Sequence, residues 1–164
     1  MLILGSMPGV RSLELKQYYG HPQNRFWPLM AALLDYESAP EAYEEKLRML
    51  TDHGIALWDV LGVCRRQGSL DSAITAEEVN PFPAFFARYP GIRKVCFNGG
   101  KARQAYRKHC GRLDLPASLA YAALPSTSPA NARWRFDMLR EAWAKELADV
   151  LAEGLPVSRG CPGE

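Results

Sequence analysis

The stretch KVCFNGGKARQAYRKHC, residues 94–110, carries the alternation on which the fold turns. Lys94–Phe97 is a short apolar run closed by Asn98-Gly99-Gly100, and a helical pattern follows over Gly99–Cys110, with Ala102, Ala105 and Tyr106 on one stripe. A strand this short and this apolar reads as buried on both faces, as the strands of a parallel sheet are. The same punctuation recurs outward. Met1–Leu4 ends at Gly5-Ser6-Met7-Pro8-Gly9, Gly54–Val60 runs into Leu61-Gly62, and Ala120–Leu124 ends at Pro125-Ser126-Thr127-Ser128-Pro129. Helical patterns lie between them. Asn24–Tyr36 carries Phe26, Met30, Leu33 and Leu34; Pro40–His53 carries Tyr43, Leu47 and Leu50; Asn131–Ala152 carries Phe136, Leu139, Trp143, Leu147 and Val150. Pro28 is tolerated only in a first turn, so the helix around it must begin close to Asn24. This alternation predicts one α/β domain over residues 1–153: a three-layer α/β/α arrangement with a short four-stranded parallel sheet flanked by helices. Residues 154–164 have no periodicity and several breakers, and read as a flexible tail. Ligands of such sheets bind beyond the carboxyl ends of the strands, so the Gly, Pro, Ser and Asn clusters at those ends are expected to converge on one crevice.

The composition is that of a globular protein: 164 residues, 48% apolar and 23% charged, which excludes global disorder. No apolar run is long enough to span a membrane. The chain opens directly into an apolar strand with no basic-then-apolar leader, so no signal peptide is expected. The net charge of +2 hides an uneven distribution. Residues 91–140 hold ten Lys/Arg against two Asp/Glu, whereas residues 35–90 hold five against ten. A basic region beside an acidic one fits a polyanion-binding face, the alternative being a solvated surface helix. The cysteines Cys64, Cys96, Cys110 and Cys161 lack the close spacing of zinc or iron–sulfur ligands. No metal site and no cofactor are therefore expected. Isolated thiols suit a reducing cytoplasm, and Cys96 in mid-strand reads as a small core hydrophobe.

Several chemistries are missing. Gly99-Gly100-Lys101 is not a phosphate-binding P-loop, because Val95 stands where that motif needs Gly and Ala102 where it needs Ser or Thr. There is no G-x-S-x-G, G-x-G-x-x-G or H-E-x-x-H. Three segments remain. Gly5-Ser6-Met7-Pro8-Gly9 is a turn of mostly small residues that lets backbone approach a ligand. Tyr18-Tyr19-Gly20-His21-Pro22-Gln23-Asn24 sets aromatics and an amide just before a helix. Leu124–Asn131 is a hydroxyl-rich turn expected to open the long basic helix bearing Arg133, Arg135 and Arg140, a setting suited to phosphate oxygens.

Gly5–Gly9 together with Tyr19-Gly20-His21-Pro22-Gln23-Asn24-Arg25-Phe26-Trp27 resembles the first motif of the uracil-DNA glycosylase superfamily. It is nearest the mismatch-specific uracil/thymine branch, with its G-x-N-P-G and F/Y-x-H-P-x-N-x-F-W patterns. Leu124–Ser128 resembles the superfamily's second motif, the DNA-entry loop. Two departures matter. Met7 stands where the mismatch branch has a water-activating Asn, and a thioether cannot take that role. Leu124 stands where relatives carry His or Asn. The combination looks like the hypoxanthine-DNA glycosylase branch, in which the Asn of the H-P-x-N stretch, here Asn24, takes over catalysis. The run from Trp58 to Leu61 and from Arg66 to Ile74 also looks like that branch.

The resemblance implies a monomeric, monofunctional enzyme acting on DNA that contains deaminated bases, without metal or iron–sulfur cluster and without a lysine nucleophile. It removes a flipped base, hypoxanthine from deoxyinosine first; a uracil or thymine mismatch glycosylase and a non-catalytic nucleic-acid-binding module of the same fold are the competitors. The base is expected to be held by Gly5, Ser6, Met7, Pro8, Asn98 and a stacking Tyr19. Ser126, Thr127, Ser128, Asn131, Lys101 and Arg133 are expected to meet DNA, with Pro129 and Ala130 as a wedge. Each residue has a plainer alternative. Asn24 stands where a helix cap belongs, Tyr19 could be a core aromatic, and Asn98 before two glycines could be a turn residue. His21 reads as fixing the turn before Pro22. Trp27, Trp134 and Trp143 read as core. Asp59 and Asp71 read as cap or turn residues more readily than as substrate contacts.

Overall fold

The computed structural model describes residues 1–62 and 78–153. Cys64, Asp71, the Arg66–Ile74 run, Cys161 and the expected tail lie outside the described residues. The sheet has four parallel strands: β1 Leu2–Gly5, β2 Ala56–Asp59, β3 Lys94–Asn98 and β4 Ala120–Leu124, in the order β2-β1-β3-β4. Six described helices accompany them: α1 Val10–Leu15, α2 Phe26–Leu33, α3 Tyr43–Thr51, α4 Phe82–Arg88, α5 Gly100–Cys110 and α6 Phe136–Glu153.

Side chains alternate across a strand, and the two central strands use the alternation to build two cores. Ile3 and Cys96 face one side, where they join Phe26, Met30, Leu50, Leu139 and Trp143 of α2, α3 and α6. Leu2, Leu4, Val95 and Phe97 face the other, against Phe82, Phe86, Ala102 and Tyr106 of α4 and α5. This is the three-layer arrangement expected. The strands were expected to be buried on both faces, and β1 and β3 are; β2 and β4 are edges, with only Asp59 and Leu124 respectively fully buried in them. A four-stranded sheet has two interior strands and no more, so the edges carry exposed groups such as Tyr121.

Pro28 sits in the first turn of α2, as its missing N–H requires. Two helices have no counterpart in the sequence reading. The short α1 buries none of its residues, and α4 opens on Pro81 and Pro83 with Phe82 and Phe86 inward. Helix α6 starts at Phe136, not Asn131; residues 125–135 form a looped segment whose carbonyls are engaged elsewhere. Arg133 and Arg135 therefore precede the helix. Cys96 and Cys110 are free, buried thiols. Burial pushes both up to about 11, so each stays protonated and inert. Among the described residues no helix is long and apolar enough to cross a membrane.

Candidate active site

Strand order reverses between β1 and β3, and at such a switch point the carboxyl ends of the strands open a crevice. A cleft of about 1680 Å³ occupies it. Register decides which residues meet there. Gly5 pairs with Asp59 across β1 and β2, and Asn98 pairs with Leu124 across β3 and β4. The first motif, the end of β3 and the second motif thus line one cleft, together with Tyr19, Asn24, Lys101 and Arg133.

At its floor three side chains form a directed chain of hydrogen bonds. The backbone N–H of Phe26 donates to Asn24 Oδ1 at 3.0 Å, and the Thr127 hydroxyl donates to the same oxygen at 2.9 Å. The backbone N–H of Thr127 donates to Asn98 Oδ1 at 3.0 Å, while Asn98 Nδ2 donates to Thr127 Oγ1 at 2.9 Å. A carboxamide oxygen has two lone pairs, so Asn24 Oδ1 is filled. Its Nδ2 has no acceptor among the described residues and belongs to a side chain that lines the cleft. Asn24 is therefore held as a donor. Its bond to the Phe26 N–H is made from one place before the capping residue Arg25, so Asn24 closes the turn into α2 and is not itself the helix cap.

Arg25 received no role from the sequence, and its neighbours show one. Its guanidinium donates to the carbonyls of Ser128 at 2.8 Å, Asn131 at 3.1 Å and Trp134, and its backbone N–H donates to the Thr127 carbonyl at 3.1 Å. One planar cation thus holds the entry loop against the start of α2. It also takes up carbonyls at Asn131 and Trp134 that a helix starting at Asn131 would have needed for its own ladder. Nothing in the sequence marks Arg25, because the motif pattern leaves the place between its Asn and Phe unspecified.

Within the loop, Ser126 Oγ accepts the Ser128 N–H at 3.2 Å, Ser128 Oγ accepts the Ala130 N–H at 3.3 Å, and Asn131 Nδ2 donates to the Ser126 carbonyl at 2.9 Å. Ser126, Ser128 and Asn131 remain partly accessible, and Pro129, Ala130, Arg133 and Lys101 are exposed. Thr127 differs. It was grouped with the phosphate-contacting hydroxyls, but it is 0% exposed and its hydroxyl is engaged inside the protein, away from any surface where a phosphate would meet it.

Tyr19 lies in the cleft with φ of +53°, an unusual conformation for a bulky residue. Ser12 Oγ accepts the next backbone N–H, that of Gly20, at 3.1 Å, and the Tyr18 carbonyl accepts Trp27 Nε1–H at 3.0 Å. One face of the Tyr19 ring stacks on Phe26, with centroids 3.9 Å apart. Burial pushes its phenol well up, against the pull of a hydrogen bond from Asn98. His21 Nδ1 accepts the Gln23 N–H at 3.1 Å, fixing the turn as expected. A Cβ at Gly5 would stand 2.3 Å from Asp59 Oδ1, so any larger residue there would have to displace that carboxylate. Ser6 and Pro8 are partly buried at the lip, and Met7 is 46% exposed beside them. Trp27 and Trp143 are buried as expected, and Trp134 is partly buried at the edge of the cleft.

Asp59 is the second residue undervalued in the sequence. Its side chain makes no cap or turn bond among the described residues, is 8% exposed and borders the cleft. Burial raises its carboxyl from 3.8 to about 6. The signal available was its place: a lone acid closing an apolar strand. Among the described residues no cluster of His, Cys, Asp and Glu could hold a metal ion.

The sequence profile of the uracil DNA glycosylase superfamily matches residues 1–147. A hypoxanthine DNA glycosylase of Methanosarcina acetivorans is 40% identical over 134 residues, 82% of each chain. A hypoxanthine DNA glycosylase of Methanosarcina barkeri is 39% identical over 102 residues, 62% of this chain and 65% of the relative. The solution NMR structure of a candidate uracil DNA glycosylase from Methanosarcina acetivorans superposes with a TM-score of 0.72 at 37% identity, covering 91% of this chain and 89% of the other. Both the motifs that line the cleft and the match across nearly all the described residues place this chain in the uracil DNA glycosylase superfamily.

Proposed function

We propose that this protein is a hypoxanthine DNA glycosylase, which adds water across the N-glycosidic bond of deoxyinosine to release hypoxanthine and leave an abasic site. The observation that carries the reading is the Asn24 carboxamide, fixed as a donor in a cleft where Met7 offers no group to orient water. The nucleotide must leave the stack to reach it, at a cost that is least for a mispaired base. Asn24 Nδ2 donates to an acceptor of the departing purine and stabilises the charge that the base takes with the bonding electrons. The sugar meanwhile gains oxocarbenium character, as in other glycoside hydrolyses. Asp59, ionised above about pH 6, supplies the opposing charge.

Asn98 commits its amide to Thr127 and Tyr19, and the second lone pair of its Oδ1 is left to accept a base N–H. Hypoxanthine presents such a hydrogen at N1, whereas adenine presents a bare nitrogen there. The backbone around Gly5, Ser6, Met7 and Pro8 closes on the base, and the Tyr19 ring, which lines the cleft, stacks on it. Ser126, Ser128 and Asn131 meet phosphates, joined by Lys101 and Arg133, while Pro129 stands at the tip as a wedge. Substrate is DNA with deaminated bases, and the unit acting is a monomer of the 1–153 domain.

The test is base release from duplexes containing one deoxyinosine or one deoxyuridine, scored by alkaline cleavage of the abasic site. Hypoxanthine release is expected. Release of uracil with inosine left intact would transfer the reading to the mismatch branch. Binding without release of either base would make the chain a nucleic-acid-binding module. Asn24→Ala is expected to slow excision about a hundredfold or more and to cost about 1 kcal/mol of stability through the lost bond to Phe26. Excision within threefold of the parent would remove Asn24 from the mechanism.

A further inference from the structure

We infer that Thr127 is a positioning residue, whose buried hydroxyl commits the Asn24 carboxamide to donating into the cleft. The inference rests on the reading of Asn24 above and deepens it. Two backbone groups fix the polarity of the whole chain of bonds, because a backbone N–H can only donate. The N–H of Phe26 identifies the Asn24 atom it meets as Oδ1, and the N–H of Thr127 does the same for Asn98. Asn98 must then present Nδ2 to Thr127 Oγ1, which is left with a single proton and a single place to send it, Asn24 Oδ1. The direction runs from the end of β3, through the entry loop, to the start of α2.

Burial makes this arrangement binding. Thr127 is 0% exposed, so no solvent molecule replaces its hydroxyl once that is removed. The residue is itself held: its carbonyl receives the backbone N–H of Arg25 at 3.1 Å and Arg25 Nε at 3.4 Å. Without the hydroxyl, Asn24 Oδ1 keeps only the Phe26 bond, its amide rocks about that single tether, and Asn98 Nδ2 loses an acceptor. The donor then spends little time aimed at the base. Since Asn98 also borders the cleft, the same hydroxyl joins the amide that meets the base edge to the amide that assists departure.

The experiment compares Thr127→Val, close in shape but without the hydroxyl, with Thr127→Ser, which keeps it. Single-turnover excision from a deoxyinosine duplex and the affinity for that duplex are measured separately. Thr127→Val is expected to lower the excision rate by about a hundredfold, with affinity within about threefold, and Thr127→Ser to recover most of the rate. In an Asn24→Ala background Thr127→Val is expected to cost far less than in the parent, because it acts chiefly through that amide, while Asn98 keeps its bond to the Thr127 N–H. Where Thr127→Val does not fold, Thr127→Ser decides: an activity close to the parent's supports the role, and a hundredfold loss overturns it. The inference is likewise overturned if Thr127→Val excises at the parental rate, or if its loss is undiminished in the Asn24→Ala background. Failure of the parent chain to release hypoxanthine would instead overturn the functional reading on which this one rests.

Discussion

Asp59 shows how a single residue can set two properties against each other. Burial raises its carboxyl from 3.8 to about 6, so the folded protein holds that proton more tightly than the unfolded chain does. Stability is therefore full below about pH 4 and is lost as pH climbs through about 6. On the mechanism proposed above, activity is expected to run the opposite way, because only the ionised form would offset a cationic sugar. The parent is expected to gain excision rate through about pH 6 while its melting temperature falls. Asp59→Asn is expected to stabilise the fold by up to about 3 kcal/mol at pH 8 and by little at pH 4, and to slow excision. Melting curves at the two pH values check it; an equal effect at both would show that ionisation of Asp59 carries no cost. Position in the sequence revealed this residue's type and strand, but not its company. Its burial comes from being placed beside Gly5, 54 residues earlier, by the register of β1 on β2.

Among the elements, the looped segment before α6 departs furthest from its sequence. Apolar spacing from Phe136 onward reads correctly as helix, since Leu139, Trp143 and Leu147 face the core. Residues 131–135 look equally helical in isolation; what holds them otherwise is Arg25, more than a hundred residues away, and no local pattern reports that. The strands were legible because each is an apolar run ended by turn residues, and the cleft was legible because parallel strands bring those turns to one edge. Helix α1 escaped because it buries nothing and so has no stripe to read. Arg25→Lys is expected to keep the charge but not the fork of donors. We expect a loss of about 2 kcal/mol, or roughly 4–8 °C in melting temperature, with faster amide exchange over residues 126–134. Unchanged exchange there would mean that the loop is held by its internal bonds alone. The hydroxyl of Thr127 was visible in the sequence as one of three in a row, which invited a phosphate-binding role. Only the packing distinguishes it from Ser126 and Ser128.

On the scale of the whole molecule, the charged residues bordering the cleft are mixed but net basic, with Arg11, Lys16, Lys101, Arg133 and Lys145 against Glu14, Asp59 and Glu146. Lys101, Arg133 and Lys145 border the cleft, within or close to the basic part of the chain, while the acidic residues 35–90 contribute only Asp59 to it among the described residues. Affinity for duplex DNA is expected to weaken steeply with salt, since each phosphate neutralised releases a counterion. Lys101→Ala and Arg133→Ala are each expected to reduce the slope of log affinity against log salt by about 1, alike for inosine-containing and ordinary duplexes. Titration at several ionic strengths measures this, and slopes unchanged in both variants would remove these cations from the DNA path. The Arg25 bridge also sets an order in which the two halves of the cleft can be assembled. A nascent chain that exposes only its first three strands already carries Asn24, but the carbonyls of Thr127, Ser128, Asn131 and Trp134 that seat its neighbour have yet to leave the ribosome. A chain ended before residue 127 therefore lacks the hydroxyl that meets the Asn24 carboxamide, so the geometry of the first motif is completed only once the second has been made.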